Sequence, residues 1–170
     1  MKPVGMVQPA GTVKPGRARC LILACGNTLR SDDGVGPWLA AWAQERFDPQ
    51  AGVSVISRQQ WTPELAEDVA SVETVLFVDC AMDLKPGTVK LVDVEPVDET
   101  QGLATHHLGA AELLGLARAL FGSLPRRALM LTVGGGSTEL GELFSPPVTA
   151  ALPIASAKME DAVARLMRGE

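Results

Sequence analysis

The chain has 170 residues, 46% hydrophobic and 21% charged, enough for one core-bearing domain and too little for a repeat array or a multidomain assembly. Fifteen basic against twenty acidic residues give a net charge of −5, which argues against a nucleic-acid partner. Residues 1–19 hold Lys2, Lys14, Arg17 and Arg19 and no acid, so the remainder is more acidic still.

Pro3, Pro9 and Pro15 alternate with Gly5, Gly11 and Gly16 without an apolar period, which predicts a flexible N-terminal extension over 1–19 and a single domain over 20–170. Cys20 to Cys25 is a continuous apolar strand, and Val35, Leu39 and Trp42 recur at helical spacing after it. A second strand is predicted at Val53–Ile56, a helix over Pro63–Ala70, and a third strand, apolar almost throughout, at Thr74–Asp79. Lys85-Pro-Gly87 then breaks the chain. The next strand, Thr88–Val94, resumes too soon for a parallel crossover, so it is predicted antiparallel at a sheet edge, with Lys90 and Asp93 facing water. A loop over 95–105 leads to a helix with Leu113, Leu116, Ala117 and Leu120 on one face, and Ala128–Val133 is the last strand. The final helix follows Pro146-Pro147, buries Ala155, Met159, Ala162, Val163 and Leu166, and is bent or delayed by Pro153. The fold class is α/β: a three-layer α/β/α sandwich with a mostly parallel five-stranded sheet and one antiparallel edge strand.

Three cysteines, Cys20, Cys25 and Cys80, have no CxxC spacing and lie in or beside apolar runs, which points to a reducing compartment. The apolar run at Cys20–Cys25 is far below the roughly 20 residues of a membrane helix. The expectation is a cytoplasmic monomer without membrane or nucleic-acid partners.

In open α/β sheets, ligands bind beyond the carboxyl ends of the strands. Three segments fall there. Gly26-Asn27 leads to Asp32-Asp33-Gly34-Val35-Gly36 at a helix start, where either Asp can simply cap the helix. Asp79 ends the third strand, where a structural bond to a neighbouring loop is the plainer reading. Thr105-His106-His107 holds both histidines of the chain at the start of a later helix. The first segment lacks the lysine of a phosphate loop and the spacing of a dinucleotide fold, and its acids favour a cation. Asp33, Asp79 and one histidine make an oxygen, oxygen, nitrogen set suited to nickel, zinc or iron, with positions left open for substrate. The cysteines do not join this set, Cys80 reading as a small buried residue. Gly134-Gly-Gly-Ser137 reads as a mobile loop over the site rather than an anion nest. Of Trp38, Trp42 and Trp61, Trp61 is the one expected at the surface.

These motifs, with Lys85-Pro-Gly87 and Ser145-Pro-Pro-Val148, resemble the hydrogenase maturation endopeptidases over about residues 20–168. Members trim the C-terminal tail from the large subunit of nickel-iron hydrogenase. The resemblance implies Asp33, Asp79 and His106 as metal-binding and catalytic residues, His106 matching the family's Thr-His step. It also implies that nickel is supplied by the large-subunit precursor, and a nickel-dependent cut. Asp32 is expected in a supporting or capping role and Asn27 as a polar group orienting the loop. Where many members have Asp-Gly-Gly, this chain has Ser57-Arg58-Gln59-Gln60-Trp61-Thr62-Pro63-Glu64-Leu65, similar to members serving soluble hydrogenases. Gly134-Gly-Gly-Ser137 departs from the family's usual loop. Two other functions fit the same residues: a checkpoint that binds the nickel-loaded precursor without cutting, and a small-molecule zinc hydrolase. Against the last stands the absence of a His-Glu-x-x-His helix.

Overall fold

A computed structural model describes residues 18–97 and 108–170. The extension expected over 1–19 falls, except for Ala18 and Arg19, outside the described residues, as do the end of the 95–105 loop and the Thr105-His106-His107 step.

Strands β1 (Cys20–Cys25), β2 (Val53–Arg58), β3 (Thr74–Ala81), β4 (Val89–Asp93) and β5 (Arg127–Gly134) form one sheet in the order β2-β1-β3-β5-β4. All pairs are parallel except β4 with β5. Helices α1 (Val35–Arg46), α2 (Leu65–Ala70), α3 (Ala110–Phe121) and α4 (Pro146–Arg168) cover both faces. The sandwich and its antiparallel edge strand are those expected from the sequence.

Strand periodicity assigns the two faces. Ile22 and Ala24 of β1 and Leu76 and Val78 of β3 pack under α1 and α4, against Leu39, Met159 and Leu166. Leu21 and Leu23, with Val75 and Phe77, face α2 and α3, against Val69, Leu113 and Leu114. Buried on both sides, β1 has no polar position to spare, which is why its sequence is apolar throughout. At the edge, Lys90 and Asp93 face solvent as expected, and Asp93 pairs with Arg127 at 2.9 Å.

Three expectations need correction. Trp61 is only 7% exposed, its ring set edge-on against Phe77 at 5.3 Å. It caps the α2–α3 face from the loop after β2, a role without strand or helix spacing. Pro153 lies inside α4 and does not delay it: the helix starts at Pro146 and Pro147, where a missing N–H costs nothing. Leu120 is 62% exposed, and Ala110 and Leu114 join Leu113 and Ala117 in the buried face of α3.

The connection leaving β1 passes through α1 to β2 on one side, whereas β3 is followed by elements on the other. The crevice between the carboxyl ends of β1 and β3 is therefore the topological switch point. The loop leaving β1 is drawn tightly into it. Gly26 has φ 145, and a Cβ there would collide with the Asp33 carbonyl oxygen.

Candidate active site

Asp33 and Asp79 stand at this crevice. Asp33 belongs to a 3-10 turn, Ser31–Gly34, whose end leads directly into α1. Its Oδ2 accepts the Asn27 N–H at 2.7 Å, while Asn27 Oδ1 accepts the Leu29 N–H at 2.9 Å. Asn27 thus orients the loop, as the sequence suggested. Asp79 lies near the end of β3, its Oδ1 accepting the N–H of Cys80 at 2.7 Å. Cys25, opposite it on β1, donates its thiol proton to the same carboxylate.

Burial pushes the Asp79 carboxyl up to about 6, against the hydrogen bonds from Cys25 and Cys80, and repulsion from Asp33 adds to the rise. Burial, with Asp79 and Asp33 nearby, also pushes the Cys25 thiol far up and the Cys80 thiol up to about 12. Both thiols are therefore protonated at neutral pH. Two carboxylates that repel each other in a half-buried crevice make a site that a divalent cation would relieve. Among the described residues no group of three His, Cys, Asp or Glu side chains converges on one point. The third ligand expected, His106, lies outside the described residues.

Asp32, adjacent in sequence to Asp33, does different work. It is fully buried and bonds to distant loops instead of capping its own helix. Oδ2 accepts the N–H groups of Gly136 (2.7 Å) and Ser137 (3.0 Å) and the Ser145 hydroxyl (2.7 Å), and Oδ1 accepts the Ser145 N–H (2.7 Å). Burial raises its pKa, but these four bonds outweigh that and hold the carboxyl below its ordinary value. Ser145 is the N-cap residue of α4, so Asp32 also meets the positive end of that helix. The Gly134-Gly-Gly-Ser137 loop, expected to be mobile, is fastened by this carboxylate, and its amides do form an anion nest, for an anion of the chain itself. Sequence reasoning missed this because donors and acceptor are more than 100 residues apart.

Trp61 packs in the α2–α3 face, its Nε1–H buried and without a hydrogen-bond partner among the described residues. At the opposite end of the sheet, a cavity of about 450 Å³ is lined by Arg19, Glu73, Arg126 and Arg168. Arg19 and Arg126 there donate to the Met167 and Leu166 carbonyls, closing the C-terminus of α4. Among the described residues no helix is long and apolar enough to cross a membrane.

A family model described as hydrogenase maturation protease (HycI) matches residues 40–162, which takes in Asp79 and His106 but starts after Asp33. The hydrogenase 2 maturation protease of Escherichia coli K12 is 26% identical over 136 residues, covering 78% of this chain and 82% of that protein. Two solved structures share the fold. The hydrogenase maturating endopeptidase HybD of E. coli has a TM-score of 0.71 at 24% identity, over 86% of this chain and 93% of that one. The [NiFe] hydrogenase maturation protease HybD of Thermococcus kodakarensis has 0.64 at 26%, over 85% and 98%.

Proposed function

The chain belongs to the hydrogenase maturation protease family, and from that premise we propose that it is a nickel-dependent endopeptidase that removes the C-terminal peptide of the nickel-loaded large-subunit precursor of a nickel-iron hydrogenase. The observation that carries this reading is the pairing of Asp33 and Asp79 at the switch point between β1 and β3, each with one oxygen fixed by a backbone N–H.

In this reading the nickel arrives as part of the substrate, held by the precursor. Asp33, Asp79 and His106 grip it and so place the peptide bond beside the metal. Nickel held there would supply Lewis-acid chemistry to the peptide carbonyl or to the attacking water. Water adds across the bond, its oxygen to the carbonyl carbon and a proton to the leaving nitrogen, with a carboxylate relaying that proton. A site that needs the substrate's own metal cuts only precursors already loaded. The protein acts in the cytoplasm as a monomer.

The test is the intact mass of the large-subunit precursor, nickel-loaded and nickel-free, after incubation with the protein or its His106→Ala variant. A discrete C-terminal peptide should be lost only with nickel and only with the unmodified protein. Cutting by His106→Ala, or of nickel-free precursor, would refute the proposed site. A precursor that binds but keeps its mass would identify a checkpoint instead.

A further inference from the structure

Three leucines at the rim of the site are exposed: Leu29 by 54%, Leu140 by 82% and Leu143 by 85%. Single exposed leucines are ordinary on a soluble protein, but these lie on two segments bonded to one another. The Gly141 N–H donates to the Leu29 carbonyl at 3.0 Å, and the Ser31 N–H to the Gly141 carbonyl at 2.7 Å. Ser31 Oγ donates to the Glu139 carbonyl at 2.9 Å. Ser31 takes φ 46 to make these bonds, a left-handed conformation unfavourable to a residue with a Cβ. The strained turn thus holds together two backbone segments whose leucines face water.

This platform is continuous with the site. Leu29 is tied through its N–H to Asn27, whose own N–H holds Asp33. The other loop is anchored by Asp32 at Gly136, Ser137 and Ser145. Met82, 49% exposed on the loop after Asp79, stands against the start of that loop, its Sδ 2.8 Å from where a Cβ on Gly135 would lie. Arg30, Glu139 and Glu142, neighbours of the leucines in sequence, are also exposed. Exposed apolar side chains with charged neighbours at the rim are the anatomy of a protein-binding patch.

We propose that Leu29, Leu140 and Leu143 form a docking surface for an apolar segment of the large-subunit precursor beside the bond to be cut. The inference rests on the reading of the chain as a processing protease. The precursor is the occupant because Gly141, between Leu140 and Leu143, is bonded to Leu29 and Ser31 of the loop that holds Asp33, which sets these residues beside a protein whose bond reaches Asp33 and Asp79.

The experiment compares the protein with its Leu140→Ser/Leu143→Ser variant, measuring the Kd for purified nickel-loaded precursor, the KM for its cleavage, the melting temperature and the mass in solution. Kd and KM should rise about tenfold or more, since desolvated leucines at an interface centre carry at least that factor, with the melting temperature unchanged. Equal Kd in the two proteins overturns the inference. So does a fall in melting temperature, which would mean that the leucines already pack on the chain itself. So too does a dimer that the substitutions dissociate, which would make a second copy the occupant. If the unmodified protein binds precursor through the leucines but leaves its mass unchanged, docking stands and the protease reading fails. If it binds none, both fail.

Discussion

Replacing Asp32 by Asn removes one acceptor and the charge while keeping the shape. The native carboxylate has an acceptor on each side: Oδ2 for Gly136, Ser137 and the Ser145 hydroxyl, and Oδ1 for the Ser145 N–H. An amide has one oxygen. Turned to serve Gly136 and Ser137, it points NH2 at the Ser145 N–H; turned the other way, it opposes two donors. In the gentler orientation one buried N–H is unpaired, at about 1–3 kcal/mol. The remaining three bonds lose their charge assistance, at about 0.5–1 kcal/mol each. The expected cost is therefore about 2.5–6 kcal/mol, which in a domain of this size lowers the melting temperature by roughly 5–24 °C. Thermal unfolding of both proteins at pH 7 measures it. The pH dependence provides a second reading. A carboxylate whose pKa is depressed by folding stabilises the native state above its unfolded pKa, and that contribution is lost as pH falls through the folded value. The gap between the two proteins should therefore narrow in acid, where protonated Asp32 offers the same donor and acceptor as Asn. A variant melting within about 2 °C of the unmodified protein at pH 7 would refute the assignment of Asp32 as the node joining these loops.

Asp79→Asn should abolish cutting of nickel-loaded precursor, yet raise the stability of the metal-free protein above pH 6. Asp79 titrates near 6 in the fold against an ordinary 3.8, so the native state binds more protons between those values and loses stability, by up to about 3 kcal/mol, as pH rises through them. Denaturant titrations across pH 4–8 measure this, and parallel pH profiles for the two proteins would rule it out. Trp61→Ala empties a buried site against Phe77 and should cost about 3–5 kcal/mol, read in urea unfolding; a change under about 1 kcal/mol, as at ordinary surface positions, would mean that the indole is not packed as described.

The sheet was legible because its signals are local. The apolar runs at Cys20–Cys25 and Thr74–Val78 mark strands buried on both faces, and the short interval before β4 leaves only an antiparallel return. The place of Asp79 was legible for the same reason, although β3 runs two residues past it, to Ala81. Where the reading failed, the deciding contacts are remote in sequence. Nothing near Asp32 shows that its carboxylate gathers three amides from beyond residue 135. Trp61 looked like a surface residue because its partner, Phe77, is supplied by another strand. Cys25 reads as a strand residue in the sequence, and its nearness to Asp79 follows only once β1 and β3 are paired, one step beyond Ala24 with Val78.

The adjacency of Asp32 and Asp33 acquires a physical sense from this division. A 3-10 turn advances about 120° per residue, so neighbouring side chains leave it in different directions, one into the protein and one toward the crevice. Asp32 goes inward and spends both oxygens on the loop before α4. Asp33 goes to the switch point, held by a single amide from Asn27. Because both residues belong to one short turn, the bonds of Asp32 to Gly136, Ser137 and Ser145 also fix the backbone that carries Asp33.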